Sequence, residues 1–160
     1  MHIIGRTILT ATLVCGALDI ASAFTFAGLR GDSPIQVLQS VARGPFGDAM
    51  RNGGATAALV GLVVHFAIMA VMVSVFVGGA WRLPLFAAHP LIAGIAYGFA
   101  LYLVMYWIVL PLRWPASFPS LKLAGVASAL FAHIVCVGIP LALITMRLLG
   151  RSPGAPVTTG

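Results

Sequence analysis

Four long apolar runs, each followed by a short segment containing Arg, Trp, Pro or Gly, organise this sequence. The first extends from Thr7 to Leu29 and is interrupted only by Asp19. The second lies in the run between Asn52 and Trp81, which lacks Asp, Glu, Lys and Arg, and is centred on residues 54–77. The third is Pro90 to Pro111 and the fourth Ala124 to Met146. Each offers about the 20 residues that a helix needs to cross hydrocarbon. Backbone groups in lipid must find partners within their own segment, so the runs predict helices. Pro90 suits a first helical turn and Pro111 marks an exit. The fold class expected is all-α: an integral membrane four-helix bundle, with helices at about 7–29, 54–77, 90–111 and 124–146.

The connections refine this picture. Gly31-Asp32-Ser33-Pro34 supplies cap candidates and a first-turn proline, and Ile35, Val37, Leu38, Val41 and Ala42 then form one broad apolar side. Gln36, Gln39, Ser40 and Arg43 remain for water, so a short helix is expected in the interface or folded back over the bundle, ending at Gly44-Pro45. Residues 46–51 are expected to add a brief helical piece. The second and third connections combine Trp81 and Arg82, then Arg113, Trp114 and Lys122, with prolines, as interfacial anchors and turns do. One transmembrane domain therefore covers residues 1–151, and the Pro/Gly/Thr-rich stretch 152–160 reads as a disordered tail. Ala21-Ser22-Ala23 resembles a signal-peptide cleavage site, but apolar sequence continues to Leu29, so the first helix is expected to stay uncleaved.

Composition agrees. Of 160 residues, 61% are hydrophobic and 8% charged, against about 25% charged in soluble domains. Nine basic and three acidic residues give a net charge of +6, but the cations stand singly at the edges of apolar runs. That is anchor placement beside a lipid bilayer, and no basic stripe with interleaved aromatics suggests nucleic acid. Four spans put both termini on one side. Arg6, Arg82, Arg147 and Arg151 then oppose Arg30, Arg43, Arg51, Arg113 and Lys122, a balance that leaves orientation open. Cys15 and Cys136 lie inside apolar runs without metal-ligand spacing, and no metal site is expected.

The chemistry on offer lies at one depth. At 1.5 Å per residue, Asp19 falls roughly 16 Å below the face carrying the first and third connections, and His65, Tyr102 and His133 reach similar levels. Small residues share their faces: Thr12, Gly16 and Ala23 with Asp19; Ala58 and Gly61 with His65; Gly94 and Gly98 with Tyr102; Ala129 and Cys136 with His133. These steps predict four polar side chains turned inward into one midmembrane layer. A carboxylate there must be protonated, paired or hydrated, and an Asp–His pair can share a proton. His89, just before Pro90, reads as an interface or capping residue. Tyr97 and Tyr106 are expected off the Tyr102 face.

Several roles fit such a layer. Hydrogen bonds between helices would hold a structural, accessory or membrane-stress protein together. Asp19 with His65 and His133 would serve a proton- or cation-coupled small-molecule carrier, for which a homo-oligomer or another membrane-protein partner would complete the path. His65 and His133 as axial ligands would make a haem b redox protein. No resident cofactor is indicated by a motif, and no phosphate loop occurs. The segments Gly16-Ala17-Leu18-Asp19-Ile20, Gly53-Gly54, Gly61-Leu62-Val63-Val64-His65-Phe66, Gly94-Ile95-Ala96-Tyr97-Gly98, Met105 and Val109-Leu110-Pro111-Leu112 resemble a group of small uncharacterised four-helix bacterial inner-membrane proteins. The resemblance spans most of residues 8–145. It implies a multi-pass inner-membrane location and brings no activity with it.

Overall fold

The computed structural model describes residues 3–150. The tail at 152–160 and His2 lie outside the described residues. All regular elements among the described residues are helical. They are α1 (Ile3–Gly28), α2 (Pro34–Phe46), a 3-10 turn (Asp48–Asn52), α3 (Gly54–Arg82), a short α4 (Pro84–Ala88), α5 (Pro90–Arg113) and α6 (Leu123–Leu148). Helices α1, α3, α5 and α6 are long and apolar enough to cross a bilayer, and α2 lies between the first two spans.

The ends follow local chemistry. Gly31, at φ +90°, closes α1: its N–H donates to the Gly28 carbonyl, and the Asp32 N–H donates to that of Ala27. This paired closure favours glycine at the left-handed position. Helix α2 opens on a reciprocal cap, with Ser33 N–H donating to Gln36 Oε1 at 2.7 Å and Gln36 N–H to Ser33 Oγ at 3.3 Å. The stop expected from sequence at Gly44-Pro45 does not occur. Pro45 sits in its last turn, Phe46 is its last residue, and the Gly47 N–H bonds the Arg43 carbonyl. Helix α3 runs past Val77 to Arg82, because Gly78 and Gly79 continue the helix and Leu83 N–H closes on the Gly79 carbonyl.

The bundle is packed unequally along its length. On the face of the chain ends, Cys15, Val73, Phe76, Val77, Val137 and Leu141 form a fully or almost fully buried core. Phe76 meets Phe86 and Tyr97 at 5.2 and 5.1 Å, and the Tyr97 hydroxyl donates to the Met72 carbonyl at 2.7 Å. Toward the other face, which carries α2, the buried residues are mostly small or polar: Ser22, Ala27, Gln39, Ala42, Ala57 and Ala58. Large side chains such as Leu59, Val63, Val71 and Val75 are exposed along α3, as a lipid-facing surface requires.

Glycines set the closest crossings. A Cβ on Gly61 would strike the Leu38 carbonyl, so α2 lies backbone-to-backbone on the start of α3, where Gln39 Nε2 also donates to the Gly54 carbonyl at 3.1 Å. A Cβ on Gly98 would strike the His133 carbonyl, and Gly94 and Gly138 oppose each other in the same way. Helices α5 and α6 therefore touch through their backbones, as small-residue membrane interfaces do.

Candidate functional site

The four side chains expected at midmembrane belong to a single neighbourhood, though only some touch. His65 is buried on α3, and its Nε2 lies 2.9 Å from the Gly16 carbonyl of α1. A carbonyl only accepts, so Nε2 carries a proton. The neutral ring then has its lone pair on Nδ1. That nitrogen faces Asp19, at 3.9 Å from Oδ2. The separation suits an ion pair and exceeds a direct hydrogen bond, so proton exchange needs a small approach or one bridging water. The Asp19 side chain retains 23% of its exposure and that of His65 10%. The pair stands at the edge of the packed core.

His133 completes the layer from α6. It lies in a π-helical stretch, Phe131–Gly138, and its Nδ1 donates to the Ala129 carbonyl at 2.8 Å, leaving Nε2 as the acceptor. Both histidines stand on stretches of helix packed against α1, which carries Asp19. π-Turns recur at functional sites because they rotate side chains out of the regular helical pattern. A second π-stretch, Met105–Val109, occurs in α5. Tyr102 is buried beside His133, edge to face, with ring centres 6.4 Å apart.

Two features differ from the sequence reading. Tyr106, expected off the Tyr102 face, stacks on Tyr102 at 5.3 Å and meets Phe118 at 5.2 Å. It follows Tyr102 by four residues, the step that puts side chains on one helical face, and it lies within the π-turn. Ser22, outside the predicted polar layer, is buried one turn from Asp19 and donates to the Asp19 carbonyl at 2.8 Å. Its spacing of three from Asp19 was the available signal. His89 precedes α5 at the cap position but makes no side-chain cap bond.

Above this layer the bundle opens. A cleft of about 1040 Å³ lies between α1, α2 and the first part of α6, and its deep end is lined by Ser22, Ala23, Ala129 and Ala132. Asp19 and His133 lie a turn or less below those residues, with the hydrogen bonds just described joining the two levels. A second cleft of about 970 Å³ lies across α2, between α3 and α5, and shares Val37, Ser40 and Phe118 with the first. At the outer edge Asp48 accepts from Arg43 at 2.8 Å and Arg113 at 3.2 Å, while both guanidinium groups lie over Trp114. The hydrogen bond from Arg43, with the positive charge of Arg43 and Arg113, holds the Asp48 carboxyl below its ordinary range. This clasp ties the end of α2 to the end of α5.

As axial haem ligands, His65 and His133 would offer the ring nitrogens not held by the Gly16 and Ala129 carbonyls, Nδ1 and Nε2 respectively. Among the described residues no three His, Cys, Asp or Glu side chains converge as a metal site.

Comparison with protein-family models, curated proteins and solved structures returned no match. Fold and composition define the class: a polytopic, all-helical membrane protein.

Proposed function

We propose that this protein is a proton-linked membrane carrier, with Asp19 and His65 as the proton-binding pair, His133 as a second base, and the cleft above them as the ligand's route. The observation that carries this reading is the 3.9 Å approach of Asp19 Oδ2 to His65 Nδ1. The pair holds one proton in either of two forms: a carboxylic acid facing a neutral imidazole, or a carboxylate facing an imidazolium. An exchangeable proton of this kind inside a span is a recurring feature of relays and coupled carriers. A four-span protomer encloses little space, so the working unit is a homo-oligomer. The sequence resemblance supports a bacterial inner membrane as its location.

Infrared difference spectra of the purified protein in lipid, stepped across about pH 5 to 8, test the pair. A carboxyl band that responds to pH, vanishes in Asp19→Asn and shifts in His65→Gln is expected. Absence of any Asp19-dependent band overturns the proposal. A structural, accessory role is the second reading, favoured by the His65–Gly16 bond, which joins α1 to α3. In that case the same variants lower thermal stability while the spectra show no proton exchange.

A further inference from the structure

The cleft between α1 and α6 combines a charged mouth with an apolar interior. Arg30, Asp32 and Lys122 stand at its outer end, for a net charge of +1. Neither Arg30 nor Lys122 has a carboxylate partner among the described residues, in contrast with Arg43 and Arg113. Further in, the walls are Phe26, Phe131, Val37, Phe118 and small residues. Phe26 and Phe131 meet edge to face across the gap at 5.8 Å. Three of the four serines in these walls are committed to backbone carbonyls: Ser22 donates to that of Asp19, Ser40 to that of Gln36 and Ser128 to that of Gly125, while Ser120 lines the cleft as well.

The gradient runs the same way as a leaflet, from charge at the interface to hydrocarbon at the midplane. The gap also faces the bilayer sideways. Helix α1 packs on the π-stretch and the last part of α6 but not closely on residues 123–130. Leu29, Leu121 and Leu123, at the flanks of this splay, are strongly exposed. A volume near 1040 Å³ is at the top of the range of ligand pockets, about 300–1,000 Å³.

We infer that the α1–α6 cleft is a binding site for an anionic phospholipid, whose phosphate lies between Arg30 and Lys122 and whose acyl chain runs along the paired Phe26 and Phe131 rings toward Ser22. Cations near a membrane surface attract anionic lipid by about 1 kcal/mol each. The carrier reading enters only in what the site is for: protonation of the Asp19–His65 pair removes the negative charge that an anionic head moving inward would otherwise meet.

The binding test uses the full-length protein in nanodiscs, with dioleoyl phosphatidylglycerol titrated into a phosphatidylcholine background and retained lipid read by native mass spectrometry. Affinity should fall about five-fold in Arg30→Gln or Lys122→Gln and about 30-fold in the double variant. Ala132→Phe, which fills the deep end and leaves the cations in place, should also reduce retention, and Arg30→Lys should preserve it. Circular dichroism and a monodisperse elution profile verify that each variant is folded. Unchanged preference for phosphatidylglycerol in the double variant or in Ala132→Phe overturns the site. Equal competition by free glycerol phosphate overturns it too, since the head alone would then suffice.

A separate measurement follows leaflet exchange of fluorescent phosphatidylglycerol in proteoliposomes under a pH gradient. Loss of binding with the Asp19 infrared band intact removes the lipid site alone. Intact binding with no Asp19 band and no proton-driven exchange removes the carrier reading alone.

Discussion

At the scale of single residues, lipid surroundings make each polar atom informative. His65 and His133 both commit one ring nitrogen to a backbone carbonyl, which fixes their tautomers and leaves His65 Nδ1 for Asp19. Thr145 is the opposite case. It is fully buried in the packed half, and its hydroxyl has no hydrogen-bond partner among the described residues. Valine has nearly the same shape and no group to satisfy, so Thr145→Val should raise stability by about 1 kcal/mol. Thermal unfolding in detergent measures this, and an unchanged or lowered midpoint would indicate that the hydroxyl has a use. Asp19, His65, Tyr102 and His133 were legible in the sequence because three- and four-residue steps placed each beside small residues at one depth. Tyr106 follows Tyr102 by the same four-residue step, so its place on that face was legible as well. Ser22 is hard to distinguish in the pattern, being one of many small residues in an apolar run.

Among the elements, α2 carries the most testable geometry. It was legible as an amphipathic segment with a cap, but its docking depended on backbone proximity, which a hydrophobic pattern does not encode. Gly61 is the contact point: a side chain there meets the Leu38 carbonyl, a backbone atom that cannot swing aside. Gly61→Val should therefore lift α2 from α3 and cost roughly 1–3 kcal/mol. Protease nicking near Gly47 would report the lifted state, and an unaltered cleavage rate would show that α2 docks by other means. The other end of α2 depends on charge. Asp48 has its carboxyl pKa lowered in the folded protein, so its contribution is complete above the unfolded value, about 3.9, and is lost as pH falls through the lower folded one. Spin-label distances between α2 and the end of α5 should broaden only in that acid range. Asp48→Asn should broaden them at neutral pH, with high salt acting in the same direction because the carboxylate is exposed.

For the whole molecule, the decisive feature is the contrast between its two halves. Sequence pattern identifies four spans and cannot tell a packed half from an open one, because both are written in Ala, Gly, Leu and Val. The difference arises from where bulky residues meet: Phe76, Val73 and Leu141 interlock near the chain ends, while α1 and α6 diverge beneath α2. Water and reagents should thus reach the midmembrane layer from the α2 face only. In a background lacking native thiols (Cys15→Ala with Cys136→Ala), cysteines placed at Ser22 or Ala132 line the cleft, whereas cysteines at Val73 or Leu141 sit in the packed half. A membrane-impermeant maleimide applied to the α2 side should label the first two positions and neither of the others. Applied to the opposite side of sealed vesicles it should label none of the four. Labelling of Ser22→Cys from both sides would mean that the packed half opens during normal motion. The Asp19–His65 pair would then have access to both faces, and a leak would replace one-sided proton entry.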